Sequence, residues 1–137
     1  MTIKEKGAVQ PPASRLPFLL DIYGRVMSGV LMLLGLFHWA VILGVVGGSG
    51  GMFEEMSAAW KMATIHLAVV DLVAAVGLWQ RVAWGNVLWF YAALFEVAMH
   101  TVFAGTFGAD LLLVAFHVVT VAGYAAMVFV ARRISAN

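Results

Sequence analysis

Apolar residues run almost without interruption through four long stretches of the chain, and short polar or glycine-rich segments separate these stretches. They cover residues 25–47, 60–79, 84–104 and 111–131. A helix needs about 20 predominantly apolar residues to cross the ~30 Å hydrocarbon core of a bilayer. Each stretch is therefore predicted to be a transmembrane helix. The short connections predict that successive helices run antiparallel.

The predicted fold class is all-α: a polytopic membrane protein with a four-transmembrane-helix antiparallel bundle at residues 25–131. Residues 1–24 are predicted to form a cytoplasmic N-terminal segment whose last part begins an interfacial helix. Pro17 suits the first turn of that helix, and Asp21 and Arg25 have the i,i+4 spacing of an ion pair. Residues 132–137 are predicted to form a cytoplasmic tail.

Basic residues are distributed unevenly between the two predicted sides of the membrane. Lys61 lies on one side, and the other side carries Lys4, Lys6, Arg15, Arg25, Arg81, Arg132 and Arg133. Cytoplasmic segments of membrane proteins are enriched in Lys and Arg. Both termini are therefore predicted to lie in the cytoplasm.

Composition supports the membrane interpretation and excludes several kinds of site. The chain is 64% apolar and 11% charged, whereas soluble domains have about 45–50% apolar and about 25% charged residues. The predicted partner is thus the lipid bilayer. A net charge of +1 without a basic stripe predicts no nucleic-acid binding. The absence of cysteine excludes disulfides, thiolate zinc sites, iron–sulfur clusters and covalently attached haem.

Each predicted helix carries one histidine, and the four histidines fall at a similar depth. They are His38, His66, His100 and His117. At a rise of ~1.5 Å per residue, all four lie within about 6–14 Å of the outer boundary of the membrane. The sequence therefore predicts a polar cluster in the outer half of the membrane.

Two carboxylates, Asp71 and Glu96, lie deeper than the histidines. Glu96 precedes His100 by one turn of the same helix. A charge near the bilayer centre costs on the order of 2.5–3.5 kcal/mol by insertion scales. Both carboxyl groups are therefore expected to face the bundle interior, and a partner for Glu96 is expected from another helix. At 100° per residue Asp71 is about 140° from His66, so these two side chains are expected to point in different directions.

Three interpretations of these polar residues stay open. The first is a site for haem b or a divalent metal, with His38, His66, His100 and His117 as ligands and Glu96 as a further metal ligand. The second is proton or quinone handling, with Asp71 and Glu96 as relay groups. The third is a purely structural role, in which the histidines connect helices and no cofactor is bound.

The leading expectation is a small non-catalytic accessory or structural subunit, associated with a larger membrane complex or with copies of itself. The chain is small and has minimal loops. No catalytic residues are predicted, because no nucleophile, base and oxyanion-binding group occur in a recognisable arrangement.

Four motifs resemble a family of small bacterial four-helix membrane proteins of unknown function, over residues 21–131. The motifs are DLVAAVGLW (71–79), AWGNVLW (83–89), EVAMH (96–100) and FGADLLLVAFH (107–117). More loosely, the size, the four spans and the GLWQR link resemble the DoxX-like proteins, which are associated with membrane oxidoreductase complexes.

The resemblance implies a bacterial inner-membrane location and a compact four-helix fold. It implies no catalytic residues. Its motifs contain Asp71, Glu96, His100 and His117, whereas His38 and His66 lie outside them. The four residues within the motifs are therefore the preferred candidates for a site.

Overall fold

The computed structural model describes residues 15–136, and this part of the chain is helical, without β-strands. The predicted all-α class is thus confirmed. The helices are α1 (Leu16–Ile42), α2 (Ala58–Gln80), α3 (Ala83–His100), the single turn α4 (Ala104–Phe107) and α5 (Leu111–Ser135), with a short 3-10 helix at Phe53–Glu55 before α2. Most of the predicted N-terminal segment, including Lys4 and Lys6, lies outside the described residues.

Three of the helices, α1, α2 and α5, are long and apolar enough to cross a membrane. The helix α3 has 18 residues and is not among these candidates, because Asn86, Glu96 and His100 lower its hydropathy. Three of the four predicted spans therefore have a counterpart that meets the requirements of length and composition.

The helix α1 begins and ends earlier than the predicted span 25–47. It begins at Leu16 with a proline in its first turn, where the fixed φ of proline suits a helix. It ends in a Schellman motif, in which Gly44 has a φ of +72° and the Val45 N–H donates to the Ala40 carbonyl. The hydrophobic run continues past this glycine, so hydropathy alone does not reveal the end of the helix.

The predicted span 84–104 is interrupted after His100. The Thr101 hydroxyl donates to the Val97 carbonyl, and the Phe103 N–H donates to the Ala98 carbonyl five residues back. These bonds close the last turn of α3, and the chain then forms α4 before α5 begins. A side chain that bonds back to the helix backbone is a local alternative to helix continuation.

The four long helices pack in the order α1–α2–α3–α5, and α5 also contacts α1. The start of α1, the α2–α3 turn and part of α5 line one cavity, which is bordered by Pro17, Arg81, Asn86 and Tyr124. We call this end of the molecule the turn end. The opposite end, which holds the connections before α2 and after α3, is the loop end.

The turn end and the middle of the molecule are closely packed. A buried apolar cluster of α1, α2 and α3 residues includes Leu31, Leu78 and the fully enclosed Trp89. The α2–α3 contact depends on two glycines, since a Cβ on Gly85 would lie 2.3 Å from the Gly77 carbonyl carbon. The Ser28 hydroxyl on α1 donates to the Ala75 carbonyl on α2 at 2.7 Å.

Candidate functional site

Four titratable side chains, one from each long helix, meet in the interior toward the loop end. His38 Nδ1 on α1 lies 3.5 Å from Asp71 Oδ2 on α2, and His117 Nε2 on α5 lies 3.2 Å from Glu96 Oε2 on α3. The helices that carry the two pairs are in mutual contact, α1 with α5 and α2 with α3. We call these four residues the buried network.

The buried network is almost completely shielded from solvent. The Asp71 side chain is 0% exposed, those of His117 and Glu96 are 3% and 7% exposed, and that of His38 is 17% exposed. His38 on α1 is therefore the member through which the network comes nearest to the molecular surface.

Several polar atoms of the buried network have no hydrogen-bond partner among the described residues. They are both oxygens of Asp71, Oε1 of Glu96, Nδ1 of His117 and Nδ1 of His38, which lies 3.5 Å from Asp71 Oδ2, at the limit of a hydrogen bond. Buried polar groups in proteins are usually paired, and each exception calls for an explanation. The network thus has more hydrogen-bonding capacity than its own members use.

Close helix packing brings His38 and Asp71 together. Gly35 lies three residues before His38 on α1, and a Cβ at Gly35 would lie 3.2 Å from the backbone nitrogen of Leu72 and closer still to its side chain. Because Leu72 follows Asp71 directly, this glycine sets the distance between the two helices at the level of the pair. On α3, Ala92 and Ala93 are buried one turn before Glu96, which leaves room for a carboxylate facing α5.

The pairing allows a proton to move without a change in net charge. A histidine and a carboxylic acid carry no net charge when both are neutral, and none when the proton has moved from the carboxyl group to the imidazole. Histidine exchanges its proton near neutral pH in its unperturbed state. Two adjacent carboxylates disfavour simultaneous ionisation. The geometry is therefore suited to holding and passing protons.

The other two histidines lie outside the buried network. His66 on α2 is half-buried, and its Nε2 lies 2.9 Å from the Tyr91 hydroxyl on α3. His100 ends α3, and its Nδ1 donates to the Gly108 carbonyl at 2.9 Å. The structure thus does not bring the four histidines into one cluster. The expected divergence of His66 from Asp71 and the expected partner for Glu96 on another helix are both found.

No three histidine or acidic side chains within residues 15–136 come close enough to hold a metal ion together. The pairs His38–Asp71 and His117–Glu96 each bring together one imidazole and one carboxylate. The candidate roles of His38, His66, His100, His117 and Glu96 as haem or metal ligands stay predictions.

A second group of charges, at the turn end, was only partly foreseen from the sequence. The predicted Asp21–Arg25 pair is confirmed, with Nε of Arg25 3.3 Å from Oδ2. Arg81 on the α2–α3 turn forms a second ion pair with Asp21, and this partner was missed. The sequence feature that could have indicated this pair is the position of Arg81 in a two-residue turn between helices, because this turn faces the start of α1.

Comparison with known proteins gives one match. The model of a family of unknown function, DUF6163, matches residues 18–135. No curated protein and no solved structure matches the chain. The predicted resemblance to a family of unknown function is thus confirmed, whereas the comparisons do not show the looser likeness to DoxX-like proteins.

Proposed function

The chain belongs to the DUF6163 family of unknown function, and from its interior chemistry we propose that it is a membrane protein that binds and transfers protons. The proton-binding groups are the members of the buried network, His38, Asp71, Glu96 and His117. The observation that carries this proposal is the pairing of each carboxylate with a histidine from another helix at 3.2 and 3.5 Å.

The proposal includes four membrane-spanning helices that form an antiparallel bundle, with α3 as the fourth span. Two polar side chains of α3 support this arrangement, because Glu96 and His100 are buried against the other helices. Arg15, Arg81 and Arg132 lie toward the turn end, and the positive-inside rule then makes that end cytoplasmic. We place the protein in the bacterial inner membrane with both termini in the cytoplasm.

Placing an ionisable group inside the membrane costs free energy, and the ionisable groups found there commonly belong to proton relays or ion pathways. Bundle stability alone does not require four of them, since interhelical hydrogen bonds in membranes contribute about 0.6 kcal/mol on average. The network also leaves five oxygen and nitrogen atoms without a hydrogen-bond partner among the described residues. A proton held between His38 Nδ1 and Asp71 Oδ2 would join two of these atoms in one hydrogen bond.

The test is proton flux into liposomes that contain the purified protein and an internal pH-sensitive dye, with a potassium gradient and valinomycin setting the potential. Wild-type protein is expected to carry protons, and Glu96→Gln is expected to reduce the flux to that of protein-free liposomes. Glu55→Gln is the matched control, because Glu55 is exposed in the connection before α2. Equal flux in wild type and Glu96→Gln would overturn the proposal.

A second measurement separates proton binding from proton transfer. Infrared spectra recorded across a pH titration are expected to show a carboxylic-acid carbonyl band that Glu96→Gln or Asp71→Asn removes. If neither variant changes the spectrum, the network does not exchange protons and the proposal fails at its first step.

An accessory role in a larger complex is a second candidate, favoured by the exposure of α5. This helix has His117 as its one buried residue, and Leu112 and Val119 on it are 83% and 68% exposed. Such a surface suits either lipid or a neighbouring membrane protein. Native mass spectrometry from nanodiscs distinguishes the two, since a monomer without companions contradicts the accessory role.

A further inference from the structure

A second cavity lies between α2 and α3 toward the loop end, away from the buried network. Its volume is about 400 Å³, and its lining includes Met62, Phe95, Phe103 and Phe107. Met62 is 73% exposed, so the cavity opens on the outer surface of the helices. In a membrane-embedded protein this opening faces the lipid.

The cavity contains one polar pair, His66 and Tyr91. The two side chains are held together by the 2.9 Å contact between Nε2 and the hydroxyl. The His66 ring also packs against Phe95, with 4.8 Å between ring centroids. These contacts fix the orientation of the pair at the wall of the cavity.

Either arrangement of the shared hydrogen leaves a donor for a ligand. If Tyr91 donates to Nε2, the histidine carries its hydrogen on Nδ1. If Nε2 donates to Tyr91, the hydroxyl hydrogen is free to point elsewhere. No further hydrogen bond of either side chain occurs within residues 15–136. An apolar cavity with a small number of polar groups is the usual form of a small-molecule site.

We propose that this cavity binds the ring of a membrane-soluble quinone or quinol. The aromatic side chains stack on a flat ring, a carbonyl or hydroxyl oxygen attached to that ring accepts from the His66–Tyr91 pair, and an apolar tail leaves through the opening into lipid. The volume lies near the lower end of the range of about 300–1,000 Å³ for ligand pockets. The site does not depend on the proton-transfer proposal, because it shares no residue with the buried network.

A lipid acyl chain is the simpler alternative occupant, and the polar pair argues against it. A saturated chain offers neither a hydrogen-bond acceptor nor a flat face. It would leave the remaining donor of His66–Tyr91 without a partner at a lipid-facing position, where an unpaired polar group is costly. A quinone satisfies both the donor and the aromatic wall.

The experiment measures binding of decylubiquinone to the full-length protein in nanodiscs by quenching of tryptophan fluorescence. Trp60 is the expected reporter, because its ring centroid lies 5.0 Å from that of Phe107 in the cavity wall. Tyr91→Phe removes only the hydroxyl and is expected to raise the Kd about tenfold, equivalent to ~1.4 kcal/mol. Tyr124→Phe is the matched control, because Tyr124 lines the turn-end cavity instead, and its Kd is expected to equal that of wild type.

Decylbenzene, which has the tail and a ring but no oxygen, distinguishes a quinone site from an acyl-chain groove. It is expected not to displace the quinone. Displacement by decylbenzene at equal concentration, no saturable quenching, or an unchanged Kd in Tyr91→Phe would each overturn the proposal. Glu96→Gln is expected to leave the Kd unchanged, so failure of the proton-transfer proposal would not affect this result.

Discussion

The two groups of charged side chains, at the turn end and in the buried network, differ in the partners of their carboxylates and in their exposure to solvent. At the turn end one carboxylate, Asp21, has two guanidinium partners, and all three side chains are between 21% and 58% exposed. In the buried network two carboxylates face two histidines, and no side chain is more than 17% exposed. The first group pairs its carboxylate with two permanent charges, whereas each carboxylate of the second faces a histidine, which can gain or lose a proton.

The difference indicates separate roles for the two groups. Arginine is always charged, so the turn-end pairs have one protonation state and connect α1 to the α2–α3 turn permanently. Arg25 is held further by the Trp79 ring, 4.9 Å below its guanidinium carbon. Histidine and carboxylate can exchange a proton, so the buried network has several states of equal net charge. The turn-end ion pairs hold the helices together in one protonation state, whereas the protonation state of the buried network can change.

The largest expected effect is a loss of stability at the closely packed α2–α3 contact. Gly85→Ala places a Cβ 2.3 Å from the backbone of Gly77, and neither backbone can give way without separating α2 from α3. We expect destabilisation of about 3 kcal/mol, measured by unfolding in mixed detergent micelles. Gly29→Ala is the control, because nothing lies within 4 Å of its Cβ position. Equal stability of the two variants would contradict the close α2–α3 contact.

A double-mutant cycle compares the strength of the two groups directly. For Glu96→Gln and His117→Gln we expect a coupling energy of about 1–3 kcal/mol, because the residues are in contact and buried. For Asp21→Asn and Arg25→Gln we expect about 0.2–1 kcal/mol, because the pair is exposed. The same unfolding assay measures both cycles. A larger coupling at the turn end would reverse the comparison.

A smaller effect is expected from salt, which should change the stability contribution of the exposed turn-end pairs but not that of the buried network. The Debye length falls from about 10 Å at 0.1 M salt to about 3 Å at 1 M, so exposed charges are screened and enclosed ones are not. The difference in Tm between wild type and Asp21→Asn is expected to shrink in 1 M salt, whereas that between wild type and Glu96→Gln is expected to persist. Parallel shrinkage of both differences would show that the network is open to solvent.

The smallest expected effect concerns the backbone of Arg81, which has a φ of +58° at the end of α2. Left-handed residues other than glycine are strained by about 1 kcal/mol. Arg81→Gly relieves this strain while removing an exposed ion pair, so we expect stability within about 1 kcal/mol of wild type. Arg81→Ala loses the pair without the relief and is expected to be the less stable variant. Both variants lack the ion pair, so the reverse order would show that the left-handed backbone at this position does not favour glycine.

Hydropathy predicted the helices well because it reports a property that each segment has by itself. The all-α class and the membership of a family of unknown function follow from it and from short motifs. The end of α1 was missed because Gly44 stops the helix inside an apolar run. The interruption after His100 was missed because it depends on backbone bonds at Thr101 and Phe103.

The site was harder to predict because it depends on rotation and on contacts between helices. Equal depth suggested one cluster of four histidines, but depth says nothing about direction. His66 faces Tyr91, and His100 reaches the connection at Gly108. The partner of Glu96 was expected on another helix because charge in lipid must be compensated. Its identity as His117 required the α3–α5 contact.

The sparse packing of α5 has a consequence for how this sequence can change. His117 is the one buried residue of the helix, so most of its other side chains have no fixed shape to match. Exchanges among leucine, valine, isoleucine and phenylalanine are expected to pass selection at nearly every exposed position of α5. In a library of random variants, we then expect apolar residues to replace one another at the exposed positions of this helix, with His117 as the one invariant position.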